Sequence, residues 1–213
     1  MEYLERIANV GADGIELNLS PIALSHKTDA EAIERQIVDM VSLARKTVQI
    51  PLAVKLGPGF TSLPHLASRL KAAGANALTL FNRYYRMDLD INAIEFKSGN
   101  SLSSAEEFGT VLRWIGILSD SSGLDLSAST GIYDADSLIK VILAGGKAAQ
   151  LCSVLYRKGL GVIDEMLAGL EKWMEEHGFN GIGDFQSLLS LQDDHLKSYY
   201  HRLQYVKSIK GEK

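Results

Sequence analysis

The sequence predicts an α/β fold, and three observations carry that prediction. Short apolar segments containing β-branched residues alternate with longer stretches of helical period along most of the chain. Two turns repeat one pattern, Val10-Gly11-Ala12-Asp13-Gly14 and Ala73-Gly74-Ala75-Asn76-Ala77, and Ala144-Gly145-Gly146-Lys147-Ala148 is a looser third. Each puts a glycine just past a helix, where a left-handed cap costs least, and then enters a strand. Finally, 213 residues with 46% hydrophobic residues are enough to bury a substantial core in one globular domain.

In order, the pattern predicts a helix over 2–10, acidic and amphipathic in MEYLERIANV, then a strand over 14–19 (GIELNL). A long helix over 30–47 leads to a strand over 52–56 (LAVKL), and a helix over 63–73 leads to a strand over 77–81 (ALTLF). A helix over 105–118 precedes a strand over 124–129 (LDLSAS), and a helix over 135–144 precedes a strand over 149–154 (AQLCSV). Helices over 161–177 and 182–189 follow. His177-Gly178 reads as an ordinary C-terminal helix stop, and residues 191–213 as a polar C-terminal tail.

Helices alternating with parallel strands allow a doubly wound open sheet or a (β/α)8 barrel. The strand ends choose between them. In GIELNLS, LAVKLG, ALTLFNR, DLSASTG and QLCSVL the polar residues gather at or just after the C-terminal end. A barrel builds its site from many strand ends, whereas an open sheet binds mainly at one switch point. The expectation is therefore a TIM (β/α)8 barrel of which residues 1–190 supply about strands 4–8, with about three βα units preceding them. A small five-stranded α/β domain is the alternative.

Composition excludes several classes. A formal charge of −4 and a pI near 5.7 give no basic footprint for nucleic acid. No apolar run approaches the roughly 20 residues of a membrane span, and the acidic start is no signal peptide. One cysteine excludes an intrachain disulfide and fits a cytoplasmic protein. His26 and His65 lack partners at metal-ligand spacing, so no metal site is expected, and His195 and His201 read as surface residues of the tail.

Several residues point to chemistry. Lys55 lies inside an otherwise apolar strand, so its ammonium must meet an anion or face a polar pocket; an internal pair with Glu16 is the alternative to a ligand. Asn18 and Asn82 sit at strand ends, where each can donate and accept hydrogen bonds with a planar ligand. In the loop Asn82-Arg83-Tyr84-Tyr85-Arg86, Arg83 or Arg86 can grip a carboxylate through two hydrogen bonds. Thr130-Gly131 and Cys152-Ser153 end successive apolar runs about one βαβ unit apart, and their backbone amides would cradle a phosphate. Neither G-x-G-x-x-G after a strand nor G-x-x-x-x-G-K-[ST] is present, which excludes Rossmann and P-loop readings.

GADGIELNLS, PLAVKLGPGF, GANALTLFNR, the Ser-Thr-Gly-Ile turn, and AAQLCSVLYRKG followed by GIGDF occur in an order that resembles dihydroorotate dehydrogenase, an FMN-dependent (β/α)8 barrel family. The resemblance covers the family's C-terminal five βα units. It implies that Lys55 reaches the N1/O2 edge of the flavin and stabilises negative charge there. It implies that Asn18 and Asn82 bind the dihydroorotate ring, and that Thr130-Gly131 and Cys152-Ser153 hold the FMN phosphate, with Ser103 and Ser104 near another phosphate contact. A small-molecule substrate, a homodimer and a place in pyrimidine biosynthesis are also implied.

The chain departs from the family at two positions. Pro21 stands where the family carries the cysteine or serine that takes the substrate proton, which leaves Ser20 and Ser25 as the nearby hydroxyls. Arg83 stands where the family has a small residue. The expected function is an FMN-dependent oxidoreductase acting on dihydroorotate or a related carboxylate. The alternatives are a non-flavin barrel enzyme for a phosphorylated metabolite, with Lys55 as a Schiff-base lysine, and an FMN-binding barrel without catalysis.

Overall fold

A computed structural model describes residues 2–190 of the chain; the tail from residue 191, with His195 and His201, lies outside the described residues. The elements run α1 (Glu2–Asn9), β1 (Ile15–Leu19), α2 (Ala30–Thr47), β2 (Leu52–Leu56), α3 (Leu63–Ala72) and β3 (Ala77–Leu80). A hairpin of β4 (Met87–Asp90) and β5 (Glu95–Ser98) follows. Then come a 3-10 turn at Ala105–Glu107, α4 (Phe108–Ser121), β6 (Asp125–Ser129), α5 (Ala135–Leu143), β7 (Ala148–Gln150), α6 (Ser153–Lys158) and α7 (Val162–His177).

The five strands β1-β2-β3-β6-β7 form one parallel sheet in chain order, and β4-β5 form a separate antiparallel ribbon. A strand order that follows the chain without reversal sends every right-handed crossover to the same side of the sheet. The side chains agree. Val54 and Leu56 of β2, Leu78 and Leu80 of β3 and Leu126 and Ala128 of β6 are buried in one core with side chains of α2, α3, α4, α5, α6 and α7, and Leu52 of β2 is buried in a smaller cluster with Ala44 and Val48. Each such leucine or valine contributes roughly 1.5–3 kcal/mol by leaving water. The opposite face carries Glu16, Lys55, Thr79, Ser127 and Gln150. The sheet is thus apolar on the helix side and polar on the other.

The repeated turn behaves as its sequence requires. Gly11, Gly74 and Gly145 all have φ between +89° and +104°, each between a helix and the next strand. Gly74 is also held from outside, because Arg45 donates to its carbonyl and to Asn76 Oδ1, while Asn76 Oδ1 accepts from the Leu52 amide. The same kind of stop ends α7, where Gly178 is left-handed after His177.

Two expectations need correction, and one element was not expected. The run 149–154 is not one strand: β7 ends at Gln150 and α6 starts at Ser153, so Cys152-Ser153 occupy a strand-to-helix turn. A short apolar run cannot distinguish a buried strand from a short helix by composition. The helix expected over 182–189 is a single 3-10 turn, Ile182–Asp184. The hairpin at 87–98 has no counterpart in the sequence reading, since Met87, Leu89 and Phe96 are all exposed and its alternation marks no core. No described helix is long and apolar enough to cross a membrane.

Candidate functional site

The polar face of the sheet holds a connected set of side chains. Register places Asn18 beside Lys55, Lys55 beside Thr79, and Thr79 beside Ser127, so these four share one face. Lys55 Nζ donates to Gln150 Oε1 at 2.7 Å and lies 4.0 Å from Glu16 Oε1. Gln150 Nε2 donates to Glu16 Oε2 at 2.7 Å, and Thr79 Oγ1 donates to the same oxygen at 2.6 Å. The cation is therefore held chiefly by an amide, with the carboxylate at the edge of ion-pair range. Both readings of Lys55 meet here: it has an internal partner and it faces a polar opening, with its side chain 19% exposed.

Above Lys55, at the C-terminal strand ends, a cavity of about 180 Å³ is lined by Lys55, Asn82, Ser103, Thr130, Gly131 and Ser153, among others. Two successive residues there, Thr130 and Gly131, have φ of +90° and +81°. A threonine in that region is strained, and such strain persists where the surroundings impose it, often at ligand sites. Gly131 is further required by space, since a Cβ there would stand 2.5 Å from the Phe108 backbone nitrogen. Across the cavity the Ser103 amide donates to Ser153 Oγ, and Tyr133 Oη donates to the Ser103 carbonyl. The two turns read from the sequence, and Ser103, are thus brought together around one opening. Cys152 is exposed at its rim.

Asn82 Nδ2 donates to Asn18 Oδ1, which joins the ends of β1 and β3 across β2. Ser20 follows β1 directly, and its Oγ is buried without a hydrogen-bond partner. Pro21 lines a neighbouring cavity of about 320 Å³ with Phe60 and Tyr84. Ser25 is exposed in the following loop, where its Oγ accepts from the Lys27 amide.

Arg83 is committed inside the protein. Its Nε donates to Glu107 Oε2 at 3.0 Å, and its Nη1 donates to the carbonyls of Asn100 and Ser101. Arg86 reaches the same Glu107 oxygen at 3.1 Å. Burial works against the charged form of Glu107. The hydrogen bonds from Arg83 and the Ser104 amide, with the charges of both arginines, outweigh it and hold the carboxyl below the ordinary glutamate range.

Sequence reasoning missed Thr79, Gln150, Tyr84 and Glu107. Thr79 and Gln150 were legible as polar residues within apolar strand runs, the signal that singled out Lys55. Glu107 was legible only as the glutamate of a Ser104-x-x-Glu107 capping box, and nothing local marks its pairing with Arg83, 24 residues back. Among the described residues no cluster of His, Cys, Asp or Glu is placed to hold a metal ion.

A parallel sheet with helices on one face and a cation on the other defines an α/β protein whose polar residues and candidate site gather at the strand ends. Over 167 residues the chain is 29% identical to the dihydroorotate dehydrogenase B (NAD+) catalytic subunit of Saccharolobus solfataricus, covering 77% of this chain and 57% of that protein. Subunits of the same name match from Lachnoclostridium phytofermentans, 25% identical over 86% of this chain and 62% of that protein, and from Pelobacter propionicus, 29% identical over 70% and 50%. No protein-family model matches. The chain is a divergent, dihydroorotate dehydrogenase-like member, and it spans between half and about six tenths of the length of these relatives.

Proposed function

We propose that this chain forms strands 4–8 of a (β/α)8 barrel that binds FMN and acts as an oxidoreductase on dihydroorotate or a related ring carboxylate. The observation that carries the proposal is Lys55: a cation on the open polar face, immediately below the cavity formed by Thr130-Gly131, Ser103 and Ser153. The sheet supports the barrel part, because an unreversed parallel order with helices on one side is how a barrel wall is built.

The residues fit the cofactor. Ala53, Ala77 and Ser127 share the face of Lys55, and the buried Ser127 Oγ lacks a partner. The turn at Thr130-Gly131 and the Ser103 and Ser153 region offer amides and hydroxyls to a phosphate. A bound flavin supplies the two-electron acceptor for such a reaction. Lys55 would place positive charge beside the ring edge, and Gln150 and Glu16 hold Lys55 in that position. Asn18 and Asn82 would orient the substrate ring. Of the two serines, Ser20 is the one the fold puts at the strand ends, and we assign it to the ligand's reacting edge.

An absorption spectrum of the purified protein with added FMN tests the proposal. Flavin bands that stay with the protein through gel filtration support it. Complete loss of FMN on the column rejects it and favours a barrel for a phosphorylated metabolite, with borohydride trapping at Lys55 as its check.

A further inference from the structure

We infer that Gln150 is a positioning residue, an amide spacer that keeps the Glu16 carboxylate from closing on Lys55. It thereby leaves the lysine's charge available to the flavin and sets the flavin's reduction potential. The inference rests on the reading proposed above and adds to it the balance between the two charges. The three side chains meet across the sheet rather than along it. β1 and β7 are its two edges, four strand spacings apart, which is about 19 Å on a flat sheet. Gln150 of β7 nevertheless reaches Glu16 of β1 at 2.7 Å, so the polar face is concave and its side chains converge inside the curve. Lys55 of β2 joins them there.

The chemistry of the groups fixes the orientation of the amide. An ammonium only donates and a carboxylate only accepts, so an amide between them must turn its oxygen to the first and its nitrogen to the second. Gln150 does both, at 2.7 Å on each side. The direct separation of Lys55 Nζ from Glu16 Oε1 is 4.0 Å, against about 2.8 Å for a closed ammonium–carboxylate hydrogen bond. Thr79 holds the carboxylate from another side, donating to Oε2, the oxygen that Gln150 also binds. Glu16 is thus anchored by two neutral donors instead of by the cation.

A carboxylate at 4.0 Å cancels part of the field that Lys55 presents, and a closed pair would cancel more. A cation beside the ring favours the reduced, negatively charged flavin over the oxidised one. Removing the charge of Glu16 therefore raises the potential, and removing the spacer lowers it. Two residues that merely supported the fold would give no such opposition of sign.

The midpoint potential of bound FMN, measured by dye equilibration, tests the spacer in wild type, Glu16→Gln and Gln150→Met. Glu16→Gln keeps the shape and removes the charge. It is expected to favour reduced over oxidised FMN about tenfold more than wild type, a rise of about 30 mV for the two-electron couple. Gln150→Met keeps the length of the side chain and removes the amide, so Glu16 closes on Lys55 and the potential falls by about the same amount. Gln150→Ala, with the same expected sign, replaces the methionine variant if that one does not fold. A preference within about twofold of wild type in either variant, or shifts of the same sign, overturns the spacer alone. A wild-type protein that retains no FMN overturns the flavin reading and the spacer with it.

Discussion

Lys55 and Gly131 show how single residues trade stability for a site. The Lys55 ammonium gives up water on the polar face and regains one short hydrogen bond, donated to Gln150 Oε1, and a carboxylate at 4.0 Å. Replacing it by methionine removes little net stability, about 1 kcal/mol or less, because such partly shielded pairs contribute little. On the proposed reading it also removes the charge that would lie beside the flavin ring. Lys55→Met is therefore expected to leave the melting temperature within a few degrees while weakening FMN at least tenfold, measured by fluorescence quenching. Equal losses of stability and FMN affinity would make Lys55 a structural residue. Gly131→Ala should do the reverse. Its Cβ meets the backbone of Phe108, which cannot yield without moving the start of α4, and its φ of +81° disfavours alanine. A loss of about 2–4 kcal/mol in denaturant unfolding is expected, by the mechanisms of strain and overpacking.

In the loop from Asn82 to Arg86, one carboxylate gathers both arginines. Glu107, at the end of the 3-10 turn before α4, binds Arg83, Arg86 and the Ser104 amide, and so ties the end of β3 to α4. Arg83 and Glu107 are each only 16% exposed, so breaking their pair leaves a shielded charge behind. Glu107→Gln should cost about 2 kcal/mol and speed amide exchange in residues 82–86. Because the folded carboxyl is held below its ordinary value of 4.5, the stabilisation is fully present above that pH. It is lost as pH falls through the lower folded value. Acid unfolding of the wild type should thus begin below about pH 4.5, and the Gln variant should lack this contribution. An acid transition identical in both proteins would show that Glu107 is not the latch.

At the scale of the whole molecule, the sheet has an inside and an outside. The apolar faces of its strands meet six helices, α2 to α7, in one core, while the other face carries Lys55 with its amide and carboxylate partners. The edge strands β1 and β7 each pair on one side within this sheet, whereas β2, β3 and β6 pair on both. Native-state hydrogen exchange should therefore be slowest in β2, β3 and β6 and measurably faster in β1 and β7. Uniform protection across all five strands would mean that the outer edges of β1 and β7 are paired as well.

The alternation of strands and helices, the three glycine turns and the polar strand ends were legible in the amino-acid sequence, because each is a local consequence of periodicity or of backbone sterics. Lys55, Asn18, Thr130 and Gly131 were legible for the same reason: a charged or strained residue in a short apolar run is conspicuous without its neighbours. What the sequence by itself determined is the class of fold and the end of the sheet where its polar residues gather. Only the tertiary structure decided the partners. It gave Lys55 to Gln150, 95 residues away, committed Arg83 to Glu107, and set Ser20 and Tyr84 over the bare backbone of Gly57. These are pairings between segments distant in the chain, set by strand register and by which side chains a packed fold leaves facing one another. No local pattern encodes them.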